Sequence, residues 1–193
     1  MGLEDWDWRD NVQGTLTSDK YYSPPYSLTK AGAFTDFWCK AEGTLYIPNG
    51  RVEFAYLYPY DTWFPEPPEL LTRVFFRVVL PPGETTPPSK YYWIKIDPPA
   101  KVVVLNYVEH DIYWDIFGQL NPSEWHLYRI TWWSVEGVGL VVRCEVKIDN
   151  EWYKICDDFI DPGDRYKEEQ YNRVGFRLSR GRCIDDIRIY KAI

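Results

Sequence analysis

WHLYRITWW (125–133), GLVVRCEVKI (139–148), EWYKIC (151–156), YNRVGFRLS (171–179) and CIDDIRIYKAI (183–193) make up most of the C-terminal part of the chain. Each alternates apolar and polar residues and is bounded by Gly, Pro, Asp or Asn, the pattern of a half-buried strand. The middle pair carries its own register. A two-residue turn at Asp149-Asn150 sets Cys144 opposite Ile155, Val146 opposite Tyr153 and Glu145 opposite Lys154. Apolar residues then meet apolar ones and opposite charges meet, so the hairpin is self-consistent. The same register predicts that Cys144 and Cys156 point to opposite faces.

Upstream, the pattern repeats in shorter pieces. GTLT (14–17), FTDFWCK (34–40) and TLYI (44–47) read as extended, and Asn49-Gly50 is a hairpin signal feeding RVEFAYLYPY (51–60). LLTRVFFRVVL (70–80) is a buried strand by its length and its Val and Phe content. YYWIKI (91–96) and KVVVLNYVEH (101–110) follow, then IYWDIF (112–117), read as extended up to Gly118. Helical periodicity is absent apart from a turn near 122–125 or 165–170. Strands at intervals of about ten residues predict an all-β, two-sheet antiparallel β-sandwich, a jelly roll, with residues 1–193 as one domain.

Composition narrows the function. The formal net charge is −7 and there is no run of Lys and Arg, so the electrostatic footprint of nucleic-acid binding is missing. No window approaches the length of a membrane-spanning helix. The opening MGLEDWDWRD is acidic and lacks the basic-then-apolar layout of a secretory signal. A single Met, fifteen Pro and many charged residues resemble the bias of thermophile proteins. The four cysteines have no Cys-x-x-Cys spacing. A Cys39–Cys183 bridge requires the early and late strands to be neighbours; buried free thiols are the alternative.

The Trp-led strand at 125–133, the following hairpin, the N-R-V-G-F-x-L-S strand at 172–179 and the closing I-D-D-I-R-I-Y strand at 184–190 resemble the C-terminal half of concanavalin A-like lectin/glucanase domains, including LamG-like modules. The resemblance implies a jelly-roll sandwich that binds glycans or proteins, often with a structural calcium ion, and acts outside the cell or on a virion or cell surface. Fold alone does not choose a function. The laminarinase-like enzymes of this fold carry Glu-x-Asp-x-x-Glu on one strand, where alternation aims the carboxylates at one cleft. That spacing is absent; the nearest runs are Glu109 and Asp111 with Asp115, and Glu145 with Asp149 and Glu151. The expectation is therefore a non-catalytic carbohydrate-binding or adhesion module. The alternative is a self-assembling structural protein of a virion, appendage or surface layer, with a glycoside hydrolase a distant third.

Sugar rings stack their C–H faces on aromatic side chains, so exposed aromatics are the candidate ligand residues. In YLYPYDTWFPEPPE (56–69) four prolines exclude a central strand. Its Tyr58, Tyr60 and Trp63 form either a binding platform or a lid over the core. Trp114 is a further candidate. Trp132 and Trp133 are adjacent on a strand, so one must leave the core, and parity with Tyr128 and Ile130 sends Trp133 outward. For calcium, Asp185 shares the parity of Ile187 and Ile189 and is expected to face inward, hydrogen-bonded or bound to the cation with Glu4 or Asp5. The acidic loop DDFIDPGDR (157–165) is expected to be solvated, His110 to lie in a loop and His126 on a strand.

Overall fold

Alternation along the strands leaves each of them with one apolar face, and two antiparallel sheets bury those faces against each other. The computed structural model describes residues 6–9, 15–17, 27–29, 34–40, 44–57, 73–84, 86, 88–97, 100–121, 124–179 and 183–192. One sheet runs, edge to edge, β1 (Trp6–Trp8), β4 (Phe34–Cys39), β14 (Arg173–Ser179), β6 (Arg73–Val78), β7 (Tyr92–Asp97), β8 (Val102–Leu105) and β9 (Val108–Asp111). The other runs β12 (Glu151–Lys154), β11 (Gly139–Ile148), β10 (Trp125–Val135), β5 (Gly50–Leu57), β15 (Cys183–Lys191), β3 (Ser27–Thr29) and β2 (Thr15–Thr17). A short strand, β13 (Phe159–Asp161), also pairs with β11. The predicted two-sheet sandwich is the fold observed.

The core between the sheets takes Phe37, Phe76, Tyr92 and Phe176 from one side and Phe54, Ile130, Trp132 and Val142 from the other. Phe76 stacks on both Tyr92 and Trp132, with ring centroids at 5.4 and 5.1 Å. A second buried cluster of Trp38, Phe75, Val78 and Trp93 lies on the far face of the seven-stranded sheet. Gly175 is required there, because a Cβ would come within 2.5 Å of the Trp38 indole and of the Phe37 carbonyl.

The β11–β12 register is the one read from the sequence, Glu145 facing Lys154 and Val146 facing Tyr153. Asp149 and Asn150 both take positive φ, 48° and 68°, as a tight primed turn demands. The thiols fall differently. The chain leaves β12 after Lys154, and Cys156 turns back into the core, where its thiol meets that of Cys144. Cys39 and Cys183 belong to opposite sheets, and none of the four cysteines is in a disulfide.

Other local expectations yield to tertiary contacts. Asn49-Gly50 does not join two paired strands: TLYI contributes only a bridge, Tyr46 to Asn172. Gly50 is needed because a Cβ would lie 2.4 Å from the Ile47 side chain and 2.5 Å from the Tyr190 carbonyl. IYWDIF is not extended but holds one helical turn, α1 (Trp114–Phe117), which buries Phe117. KVVVLNYVEH folds on itself at Asn106, so His110 lies on β9 rather than in a loop, stacked 4.0 Å from Phe159. The acidic loop is tied down: Asp158, Asp161 and Asp164 all pair with arginines.

Two bulges redirect side chains. On β6, Phe75 and Val78 share the far face although three residues apart, because Arg77 is inserted at φ 48°. Arg77 is fully buried. Its guanidinium donates to Pro48 O (2.8 Å), Asp164 Oδ1 (2.7 Å), Arg165 O (3.0 Å) and Ser134 Oγ (2.8 Å). On β15 the bulge lies at Asp186, φ 46°. Ile184 belongs to the core and Ile187 and Ile189 pack against it, so Asp185 turns away from the core instead of sharing their face.

Removing a buried charge's partner set is costly because several acceptors lose their donor at once. Arg77→Met is expected to lose about 3–5 kcal/mol, read as a lower urea midpoint with an unchanged m-value. A wild-type midpoint would show that the loops at this end do not depend on Arg77.

Candidate functional site

Strands β10 and β11 present one face to the core and the other outward. Trp132 takes the inner face, fully buried, its indole N–H donating to Ile47 O at 3.2 Å. Trp133 therefore takes the outer one. Thr131 pairs with Arg51 and Arg51 with Tyr190 across β10, β5 and β15, so these side chains form a row on that same outer face. At the ends of these strands lies a groove of about 330 Å3, lined by Gly50, Arg51, Thr131, Trp132, Trp133, Tyr190, Lys191 and Ala192. This volume lies within the range of small-ligand sites, roughly 300–1,000 Å3.

Cations lie over the aromatic rings of this face. The Arg51 guanidinium is 4.2 Å from the Tyr190 ring centre, Arg129 is 4.3 Å from that of Trp152 and Arg143 is 5.4 Å from that of Trp133. Such contacts hold flat side chains in fixed orientations. Arg129 is further held by a bidentate pair with Glu145 at 2.7 and 2.8 Å, and Arg143 by Asp158 at 3.0 and 2.8 Å.

The buried Arg77 fixes the groove from behind. Asn49 Oδ1 accepts the Ser134 N–H at 3.0 Å, and Asn49 O accepts the Ala192 N–H at 3.0 Å. Asn49, Ser134 and Ala192 are the chain neighbours of Gly50, Trp133 and Lys191, three of the lining residues. A larger cleft of about 650 Å3 opens by Ser134, Val135, Val138 and Asp164. The Ser134 hydroxyl and the Asp164 carboxylate are already taken up by Arg77, so it offers a ligand less.

Among the candidates read from the sequence, the groove contains Trp133. Trp114 sits apart on α1, 39% exposed, with the Lys101 ammonium 5.4 Å above its ring. Tyr58, Tyr60 and Trp63, together with Glu4 and Asp5, lie outside the described residues. Asp185 Oδ1 accepts the Asp186 N–H at 2.7 Å, and Asp186 is gripped by Arg188 at 2.8 and 3.0 Å. No group of three or more His, Cys, Asp or Glu side chains converges among the described residues. Sequence reasoning missed Arg51, Thr131 and Tyr190. The alternation of RVEF and IRIY already placed Arg51 and Tyr190 on outward positions, but their meeting needs the β5–β15 pairing.

The sandwich is shared with solved structures that include lectin-like and galectin-like folds. Arcelin-5, a lectin-like defense protein from Phaseolus vulgaris, superposes with a TM-score of 0.58 at 11% identity, over 96% of this chain and 90% of that one. A Bacillus subtilis protein with a galectin-like fold gives 0.59 at 13%, over 99% and 91%. The exoplasmic/lumenal domain of VIP36, in a Ca2+/Man3GlcNAc-bound form, gives 0.55 at 10%, over 100% and 86%. Identities this low establish a lectin-like β-sandwich and nothing finer. No protein-family model matches the sequence, and no curated protein matches it either.

The carboxylates that brace this region also set its acid response. Burial works to raise the pKa of Asp158, but hydrogen bonds from Arg143 and Lys154 outweigh it and hold the group below its ordinary 3.8. Burial acts likewise on Asp161, outweighed by Tyr92, the Gly163 N–H and Arg165. A pKa depressed on folding stabilises the protein above the unfolded value, and that contribution fades as pH falls through the folded one. Stability measured by thermal melts is therefore expected to decline as pH drops below 3.8. Asp158→Asn and Asp161→Asn should each lower the neutral-pH melting temperature and flatten that decline.

Proposed function

We propose that this chain is a non-catalytic carbohydrate-binding module, and that a saccharide lies in the groove between Trp133 and Tyr190. The observation that carries the reading is the groove itself. Trp133 and Tyr190 line an open recess on a sheet face together with Thr131 and Arg51. Aromatic faces accept the C–H side of a pyranose, and a few polar groups fix its orientation. The fold supports the reading, since the proteins that share it include a lectin-like defense protein and a lumenal domain solved with a mannose-containing glycan.

One of the two nearest carboxylate runs supports binding without hydrolysis. Glu145, a member of one of those two runs, is only 8% exposed and locked in its bidentate pair with Arg129. It is in no position to act as general acid beside a glycosidic oxygen. A glycan ligand is in keeping with work outside the cell or on a cell or particle surface.

The test is retention on immobilised glucan, mannan, xylan and pectin, with assay for released reducing sugar. Retention on at least one matrix with no release is expected. Trp133→Ala should weaken that retention about tenfold or more while leaving the melting curve intact, since the ring lies outside the core. Retention undiminished in Trp133→Ala would remove the groove from the site, and release of sugar would make the protein a hydrolase.

A further inference from the structure

All four cysteines are buried, and two of them meet. Cys144, on β11, is 1% exposed and Cys156 is fully buried, both within the core between the sheets. The β11–β12 ladder brings them together. It continues past Lys154 through the Ile155 N–H, which donates to Cys144 O at 3.1 Å. Cys156 follows directly, and its thiol is in hydrogen-bonding contact with that of Cys144. A disulfide spans Cα separations of about 4.4–6.8 Å, the spacing of residues on adjacent strands.

The segment is held from its other side as well. The Tyr113 N–H donates to Ile155 O at 2.7 Å, His110 Nδ1 lies 3.1 Å from Asp157 O, and Asp158 pairs with Arg143 and Lys154. Backbones already fixed in this way leave a bond little to distort. The Cys39 thiol instead accepts from the Thr44 hydroxyl at 3.2 Å, and Cys183 belongs to the opposite sheet.

In the closed core the pair is inert. Burial, with the hydrogen bond to Cys156 adding to it, pushes the Cys144 thiol well above the ordinary range, whereas the thiolate is the attacking species. Access comes from the sheet edge. β12 is four residues long and borders the sheet with β11 as its neighbour, so fraying of β12 opens both thiols together.

We propose that Cys144 and Cys156 are a disulfide site, closed by a small disulfide oxidant such as oxidised glutathione, which staples the edge strand β12 to β11. One cysteine thiolate attacks a glutathione sulfur and expels a glutathione thiolate, leaving a mixed disulfide. The second cysteine thiolate attacks the protein sulfur of that link and expels the other glutathione thiolate. The two cysteines together lose two protons and two electrons, and one oxidised glutathione becomes two reduced ones. An oxidising compartment supplies this chemistry. None of it depends on the ligand that the groove takes.

The test equilibrates reduced protein with excess oxidised glutathione, once as the native fold and once during refolding from urea. Each sample is then unfolded, alkylated, digested with trypsin and read by mass spectrometry. The expected product is CEVK (144–147) joined to ICDDFIDPGDR (155–165), with Cys39 and Cys183 alkylated. The double variant Cys39→Ser, Cys183→Ser should form the same link. Linked protein should melt about 6–12 °C above the same protein reduced with dithiothreitol. Alkylation of all four cysteines in both samples overturns the proposal, and so does a link that joins Cys144 or Cys156 to another cysteine. A linked protein that melts no higher than the reduced one shows that the native packing rejects the bond, and overturns it as well.

Discussion

A charged guanidinium with no access to water has to find acceptors in the protein, and Arg77 finds them at Pro48, at Ser134 near the end of β10 and at Asp164 and Arg165. The cost of burying such a group is met only when most of its donors are matched. The bulge that inserts it into β6, with φ at 48°, is what aims it at Pro48, Ser134, Asp164 and Arg165 rather than along the ladder. Arg173 does the same work on the neighbouring strand, donating to Cys39 O, Leu80 O and Trp38 O and pairing with Asp7 at 2.6 Å. Two buried arginines thereby fix segments that carry little regular structure of their own.

That anchoring reaches the outer surface. Asn49 is held by Ser134 and Ala192, and their chain neighbours Gly50, Trp133 and Lys191 are groove residues. A recess built at the ends of three strands keeps its shape because the loops behind it are pinned. Preorganisation of this kind reduces what a ligand must offset on binding.

The aromatic content divides by layer. Phe37, Phe54, Phe76 and Trp132 fill the space between the sheets, and Trp38, Phe75 and Trp93 form a separate buried layer. Trp133, Trp152 and Tyr190 lie under arginines on the outer face of the eight-stranded sheet. The first layer makes the fold and the last makes a surface.

From its sequence alone the chain determined the strands of its C-terminal half, the turn at Asp149-Asn150 with its register, the outward position of Trp133 and the two-sheet architecture. These follow from alternation and turn chemistry, which are local. The helical turn at Trp114–Phe117, the bulges at Arg77 and Asp186, the meeting of Cys144 with Cys156 and the use of Asn49 as a brace instead of a hairpin corner were decided by the tertiary structure. Each depends on a partner distant in sequence: Asn49 on Ser134, Arg77 on Asp164, Arg51 on Tyr190. A one-residue bulge inverts every parity argument beyond it, as Asp185 shows. The groove was half legible for the same reason: alternation names the side chains that leave the core, and only strand pairing says which of them stand side by side.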